Sequence, residues 1–480
     1  MTAELARAGG LVGCVGLAVL LVAPTRMVRL AGLVAWALGA LGLAIYLLPH
    51  GHRPLLAAAA VLGLALAAVG AWLLRRRPEL LAFAALLCFP ARIPVSVGST
   101  QSNLLVPLYG VVAAAALALA WELLRGDARA RELGPLAWPL AAFTAWTGLT
   151  ILWVDDLRQG AIALLFFYLP FGLLAVCVAR LPWARRWVTA LFGLLAAMAL
   201  VFAVVGFYQW ETRDIFWNPK VKVGNAYAPF YRVNSVFWDP SIYGRFLVVA
   251  ILASLVVVLA TRRTRLALGL AAVAAATWWG LLLSFSQSSF VALGVGVLAA
   301  AAFAWQWRVL AAAGLAAVVL VSVGFAAPNI RHNLFGHSFN RVTSDRYSLV
   351  TNGVKIAVHH PIGGVGIGGF RQAYAHQQHL KGREPKKAAS HDTPVTVAAE
   401  TGVPGLLLFG WLLAAALLLT LRRVGAGFSE RTRFVAGLAL GAIAVHSLFY
   451  NAFFEDPMAW ALFGLAALAA TIRVEREPAA

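Results

Sequence analysis

Apolar runs long enough to cross a bilayer recur along almost the whole chain, separated by short polar connections. A membrane-spanning helix needs about 20 mostly apolar residues. The pattern predicts spans over 11–23, 28–48, 55–74, 80–97, 104–121, 136–154, 161–179, 188–207, 246–260, 266–283, 290–305, 309–327, 403–421, 434–453 and 458–472. Pro90 and Pro94 interrupt the fourth, which predicts a broken helix. The expected fold class is all-α: a polytopic transmembrane helical bundle of about 13–15 spans, with a large extracytoplasmic loop that contains short helices. A second apolar span follows the first almost at once, so the first reads as a retained helix and not as a cleaved signal peptide.

Basic residues mark every second connection: Arg26 and Arg29, Arg75–Arg77, Arg125 to Arg131, Arg180 to Arg186, Arg262 to Arg265, Arg308, Arg422 to Arg433, and Arg473 and Arg476. Placing that set in the cytoplasm satisfies the positive-inside rule throughout. The alternate connections, 155–159, 211–244, 287–288, 328–401 and 455–457, then lie outside. The expected organisation is a single multi-pass membrane domain, 1–480, with a first extracytoplasmic loop over 211–244 and a large one of catalytic type over 328–401.

Composition agrees. The chain is 61% hydrophobic and 12% charged, with a mean hydropathy of +0.81, against about 25% charged in a soluble domain. The net charge of +20 reads first as a setter of topology, so no nucleic-acid partner is expected. Cys14, Cys88 and Cys177 lie in apolar runs at no metal-ligand spacing and read as small core residues. Arg outnumbers Lys 33 to 6, a bias that with the abundance of Ala, Gly and Leu fits a GC-rich bacterium.

Two outer loops depart from the charge rule. All six lysines lie there: Lys220, Lys222, Lys355, Lys381, Lys386 and Lys387. The long loop adds Arg331, Arg341, Arg346, Arg371 and Arg383 against Asp345, Glu384, Asp392 and Glu400. It also holds seven of the ten histidines: His332, His337, His359, His360, His376, His379 and His391. Long loops translocate regardless of charge, so this excess has a topologically neutral reading beside the functional one, an anion site.

Within the loop, Thr343-Ser344-Asp345-Arg346 reads as a helix start. Leu349, Val350, Val354, Ile356 and Ala357 then form one face of an amphipathic helix lying at the membrane surface. Arg346 near its start suits phosphate oxygens, because a guanidinium binds them bidentately; a lipid-facing arginine is the alternative. The run 363–370 contains G-x-G-x-x-G at Gly364, Gly366 and Gly369, yet no strand precedes it, so it reads as a close-approach turn and not as a dinucleotide site. Ser390-His391-Asp392-Thr393-Pro394 begins another helix, capped by Asp392 or Thr393. A helix N-terminus favours a neutral imidazole, which makes His391 a candidate general base; the plainer alternative is a capping role.

The stretches HHPIGGVGIGGF (359–370) and SHDTPVTVAAETGVPG (390–405), followed by a further span, resemble the O-antigen ligase and O-antigen polymerase superfamily of bacterial membrane glycosyltransferases. The matching positions are Pro361, Gly364, Gly366, Gly368, Phe370, His391, Glu400, Gly402 and Gly405. Arg346 resembles the family's essential loop arginine, and RVNSVFWDPSIYG (232–244) resembles a second family segment. Gln287 stands where many members carry an arginine, with Arg232 or Arg245 to compensate.

The resemblance implies glycan transfer on the outer face of the bacterial cytoplasmic membrane. The donor would be an undecaprenyl-diphosphate-linked oligosaccharide, and the acceptor a glycan or a lipid. His391 would act as base and Arg346 would stabilise the leaving diphosphate. Arg232, Arg245, Gln287, Lys355 and Arg371 are the further diphosphate-binding candidates. Gly364, Gly366, Gly368, Glu400 and Gly402 form the structural motif, Glu400 fixing the helix entrance more readily than acting as an acid. No metal and no cofactor is implied. Two other readings stay open: a lipid-linked glycan flippase, and a non-catalytic protein of envelope polysaccharide assembly.

Overall fold

The computed structural model describes residues 2–48, 53–97, 100–227, 230–305, 346–379, 390–421 and 427–471. The predicted span 309–327, the proposed cap residues 343–345, and the loop residues 328–345 and 380–389 lie outside these, as do Lys381, Lys386 and Lys387. Successive helices are α1 Thr2–Val22, α2 Arg26–Leu47, α3 Arg53–Arg76, α4 Leu80–Cys88 and α5 Val106–Leu124. They continue as α6 Gly134–Leu152, α7 Leu157–Ala179, α8 Arg185–Thr212, α9 Pro219–Tyr227, α10 Pro240–Ala260, α11 Thr264–Ser284 and α12 Gln287–Trp305. The remainder are α13 Arg346–His359, α14 Phe370–Gln377, α15 Thr393–Leu421, α16 Phe428–His446 and α17 Pro457–Thr471. Nine of the described helices are long and apolar enough to cross a membrane. The fold is an all-α polytopic bundle, with one β-hairpin pairing Ile93–Val97 with Thr100–Leu104.

Contacts at the helix ends sort the connections onto two faces. On one, the Arg29 guanidinium pairs with Glu132 at 2.7 Å, and Arg180 pairs with Glu122 at 2.7 Å and Asp127 at 2.5 Å. Arg75 lies 4.3 Å over the Trp121 ring, and Arg431 donates to the carbonyl of Ala260 at 3.4 Å. These arginines belong to the connections that the sequence predicts to share a side. The opposite face gathers the 150–160 turn, the 211–239 loop, the turn between α11 and α12, helices α13 and α14, and the 447–456 segment.

The fourth predicted span is not one continuous helix. α4 stops at Cys88, before Pro90 and the hairpin. Nine residues rise only about 13 Å, less than half of a bilayer core. The segment nevertheless carries the chain across. Arg75 at the end of α3 touches Trp121 near the end of α5, so α3 and α5 run parallel, and Arg92 reaches the carbonyl of Glu455 at 3.1 Å on the opposite face. The span predicted over 434–453 also needs correction. α16 ends at His446, which places this histidine at a helix end and not in mid-span.

At the start of the chain, α1 and α2 meet backbone to backbone. A Cβ on Gly39 would lie 2.3 Å from the Gly13 nitrogen, so α1 is built into the bundle by close small-residue packing.

Candidate active site

α15 contains the geometric centre of the site. Gly402 interrupts it at φ 70°, ψ −175°, a conformation open essentially to glycine alone. The break frees carbonyls that an unbroken helix would use, and each unsatisfied one would cost about 1–3 kcal/mol when buried. The glycine-rich turn satisfies them. Val365 N–H donates to Ala399 O at 2.9 Å and Gly366 N–H to Glu400 O at 2.9 Å, while Trp146 Nε1–H donates to Thr401 O at 2.8 Å. In the other direction, Val403 N–H donates to Pro361 O at 2.7 Å.

The Glu400 carboxylate completes the clasp by accepting the N–H groups of Gly368 and Phe370. Ile367 N–H goes to Thr150 Oγ1 at 3.1 Å, Gly364 N–H to His360 O at 3.0 Å and Gly369 N–H to Gly366 O at 2.9 Å. Every backbone donor from Gly364 to Phe370 is therefore occupied from within the chain. The close approach expected of this turn is to the protein itself, and it has no donor left to cradle a phosphate. Glu400 acts here as a fastener between α14 and the kink.

Helix α13 packs against the start of α15. A Cβ at Gly353 would meet Val395 at 2.6 Å and Ser390 at 3.4 Å. Leu349 and Ile356 form a buried cluster with Phe370, Tyr374 and Ala399. The face predicted to rest on the membrane is thus divided. Leu349 and Ile356 turn into the protein, whereas Val354 and Val358 are exposed together with Ile362. α13 begins at Arg346, seven residues before that contact, or about 10 Å along the axis. Lys355 is exposed on this helix, and Arg371 is half-buried on α14.

His391 is half-buried and has a left-handed backbone at φ 63°. Asp392 is the cap of the following helix: its Oδ1 accepts Val395 N–H at 2.8 Å. Burial pushes the Asp392 carboxyl above its ordinary value, and that N–H opposes the shift. Ser390 Oγ holds the turn by donating to Asp392 O at 2.7 Å. Thr393 N–H donates to Ser447 O at 2.9 Å, and its hydroxyl to Asn451 Oδ1 at 3.0 Å.

The 446–456 segment is the hub that sequence reasoning missed. Ser288 Oγ and His446 Nε2 are hydrogen-bonded at 3.0 Å, and Ser286 joins Ser288 at 3.2 Å and Ser289 at 2.8 Å. Gln287 is exposed in this otherwise buried serine cluster. Arg232 Nε–H donates to Ser284 O at 3.1 Å, so the connection between α9 and α10 is fixed to the same turn. Arg245, fully buried, pairs with Asp456 at 2.9 Å and reaches Ala452 O at 3.5 Å.

Arg92 adds a residue from the first hundred, through Glu455. Glu455 is open to solvent, yet the protein crowded round it pushes its carboxyl up, against the pull of Arg92 and Arg245. Burial likewise raises the neighbouring Tyr450 hydroxyl, with Asp239 adding to the effect. The only local signal for this hub was a histidine and an aspartate bracketing an aromatic run.

The structure therefore brings His391, Gln287, Arg232 and Arg245 round one segment, and packs α13 against the start of α15. It sets Lys355 on an exposed face and commits Gly364, Gly366, Gly368, Glu400 and Gly402 to the clasp. A family model described as O-Antigen ligase matches residues 272–410, which include the α11–α12 turn, α13, the clasp and His391. No curated protein matches the chain.

Proposed function

We propose that this chain, whose residues 272–410 belong to the O-antigen ligase superfamily, moves or polymerises a polysaccharide from an undecaprenyl-diphosphate-linked donor on the outer face of the cytoplasmic membrane. A ligase- or polymerase-like role in polysaccharide assembly follows from the family. The single observation that carries the finer reading is the joining of three turns on the far face. Thr393 bonds Ser447, His446 bonds Ser288, and Arg232 bonds Ser284. They bring a histidine at a helix N-terminus to the same place as polar and cationic groups, on the side away from the arginine-rich connections.

In this reading the acceptor hydroxyl of a glycan or lipid attacks the anomeric carbon of the donor. The bond from that carbon to the phosphate oxygen breaks, and the proton passes to the imidazole of His391. Polyprenyl diphosphate leaves, its charge met by Arg346 and Arg232, with Gln287 as a neutral donor. One displacement inverts the anomeric centre. The reaction is metal-independent because guanidinium groups supply the countercharge. Val354, Val358 and Ile362 suit an outward contact with the bilayer surface, where such a donor is anchored.

The test is transfer in proteoliposomes from a lipid-linked oligosaccharide. His391→Ala and Arg346→Ala are each expected to lower the rate at least about 100-fold, as the loss of a general base or of a charge-stabilising group does. Transfer by both at the wild-type rate overturns the mechanism. Donor crossing the membrane without glycan elongation identifies a flippase instead.

A further inference from the structure

A cavity of about 580 Å³ lies apart from the outer site, between α4, α8, α10, α16 and α17. Its wall is apolar, with Leu195 and Val256 beside the small side chains of Ala85, Ala253, Ala436 and Ala461. Val249 and Ala260 both line it, so it follows α10 for about 17 Å, close to the depth of one leaflet. It ends about one helical turn below Arg245, and the Arg245–Asp456 pair is not part of its lining.

The other end opens at the arginine-rich face, where Arg185, Arg262, Arg263 and Arg431 line it. Arg262 and Arg263 are exposed, and the bond from Arg431 to Ala260 O holds its guanidinium at the end of α10. Three acids of this face are engaged elsewhere. Glu122, Asp127 and Glu132 pair with Arg29, Arg129 and Arg180. Glu430 accepts the N–H of Gly427 at 3.1 Å. The mouth is therefore cationic and the body apolar.

We propose that this cavity is a binding site for an anionic phospholipid of the leaflet at the arginine-rich face. One acyl chain fills the apolar body and the phosphate sits against Arg262, Arg263 and Arg431. A methylene takes up roughly the volume of a water molecule, ~30 Å³, so the space holds about 19 such groups, the size of one acyl chain. The apolar body alone accepts any lipid tail. The arginines supply the selection, since guanidinium groups bind phosphate oxygens and basic pockets between spans hold anionic headgroups. The site is separate from the glycan chemistry proposed for the far face.

The full chain, reconstituted in equimolar phosphatidylglycerol and phosphatidylcholine and repurified, is to be assayed for retained lipid by mass spectrometry. The wild type is expected to retain phosphatidylglycerol at least fivefold over phosphatidylcholine. The R262Q/R263Q/R431Q variant is expected to retain the two equally. Ala253→Phe, which fills the body, is expected to lose most of the retained lipid. Ala461→Leu is read in the same way should Ala253→Phe not give monodisperse protein. Equal retention of the two lipids by the wild type, an unchanged ratio in the triple variant, or unchanged retention in the filled variant overturns the proposal.

Discussion

Glu400 Oε1 accepts the backbone N–H of Phe370 at 3.3 Å, and the same carboxylate accepts that of Gly368. One side chain thus holds the start of α14 against the break in α15. Removing it strands two buried donors, and Glu400→Ala is expected to cost roughly 2–4 kcal/mol of stability. Glu400→Gln keeps an acceptor and is expected to fold and to transfer glycan at near the wild-type rate. Thermal unfolding of both, with transfer assayed on the Gln variant, checks this. A folded but inactive Gln variant would make Glu400 an acid in the reaction.

Gly402 tolerates no side chain. Its φ is 70°, and a Cβ would sit 2.3 Å from the carbonyl oxygen of Ile362. Gly402→Ala is expected to cost more than about 3 kcal/mol, combining backbone strain with displacement of the clasp. Gly410, farther along α15, has open space where a Cβ would go. Gly410→Ala is expected to be neutral or to stabilise by up to about 1 kcal/mol. Melting temperatures of the two variants in one detergent decide the matter, and equal effects would contradict it.

The Arg245–Asp456 pair is buried at both ends. Asp456→Leu alone leaves a buried cation and is expected to cost about 3–5 kcal/mol, whereas Arg245→Leu with Asp456→Leu recovers most of that. The double variant also separates structure from chemistry. If Arg245 contacts the donor diphosphate, the refolded double variant shows a raised donor KM. An unchanged KM assigns Arg245 to the scaffold.

Asp127 couples stability to pH on the arginine-rich face. Partial burial would raise its carboxyl, but hydrogen bonds from Arg129 and the charge of Arg180 outweigh this and hold it at about 2. A depressed value means that the unfolded chain binds the proton more tightly. The stabilisation is complete above the ordinary value of 3.8 and is lost as pH falls from about 4 towards 2. Asp127→Asn is expected to cost about 1 kcal/mol at neutral pH and to flatten the stability profile over that window. Unfolding scans at pH 2 to 7 would show it, and parallel profiles for the two proteins would rule it out.

The sequence by itself determined that the chain is a bundle of apolar helices with its arginines at alternate connections, because hydropathy is read residue by residue. The long described helices overlap the predicted runs, with α4 stopping early and α16 ending at His446, whereas the short α9 and α14 lie in the loops predicted over 211–244 and 328–401. It also marked the 363–370 turn as a place of close approach, and the structure agrees, with φ of 63° at Gly364 and 86° at Gly366. Tertiary structure decided what is approached: the chain's own carbonyls at 399 and 400, and not a ligand. It decided that α13 turns Leu349 and Ile356 inward, that Asp392 is the cap, and that the 446–456 segment joins Ser288 to Thr393. These are pairings between residues far apart in the chain. A hydrogen bond across 158 residues, such as Ser288 to His446, leaves no periodic trace in either partner's surroundings, and only the packed bundle brings the two groups together.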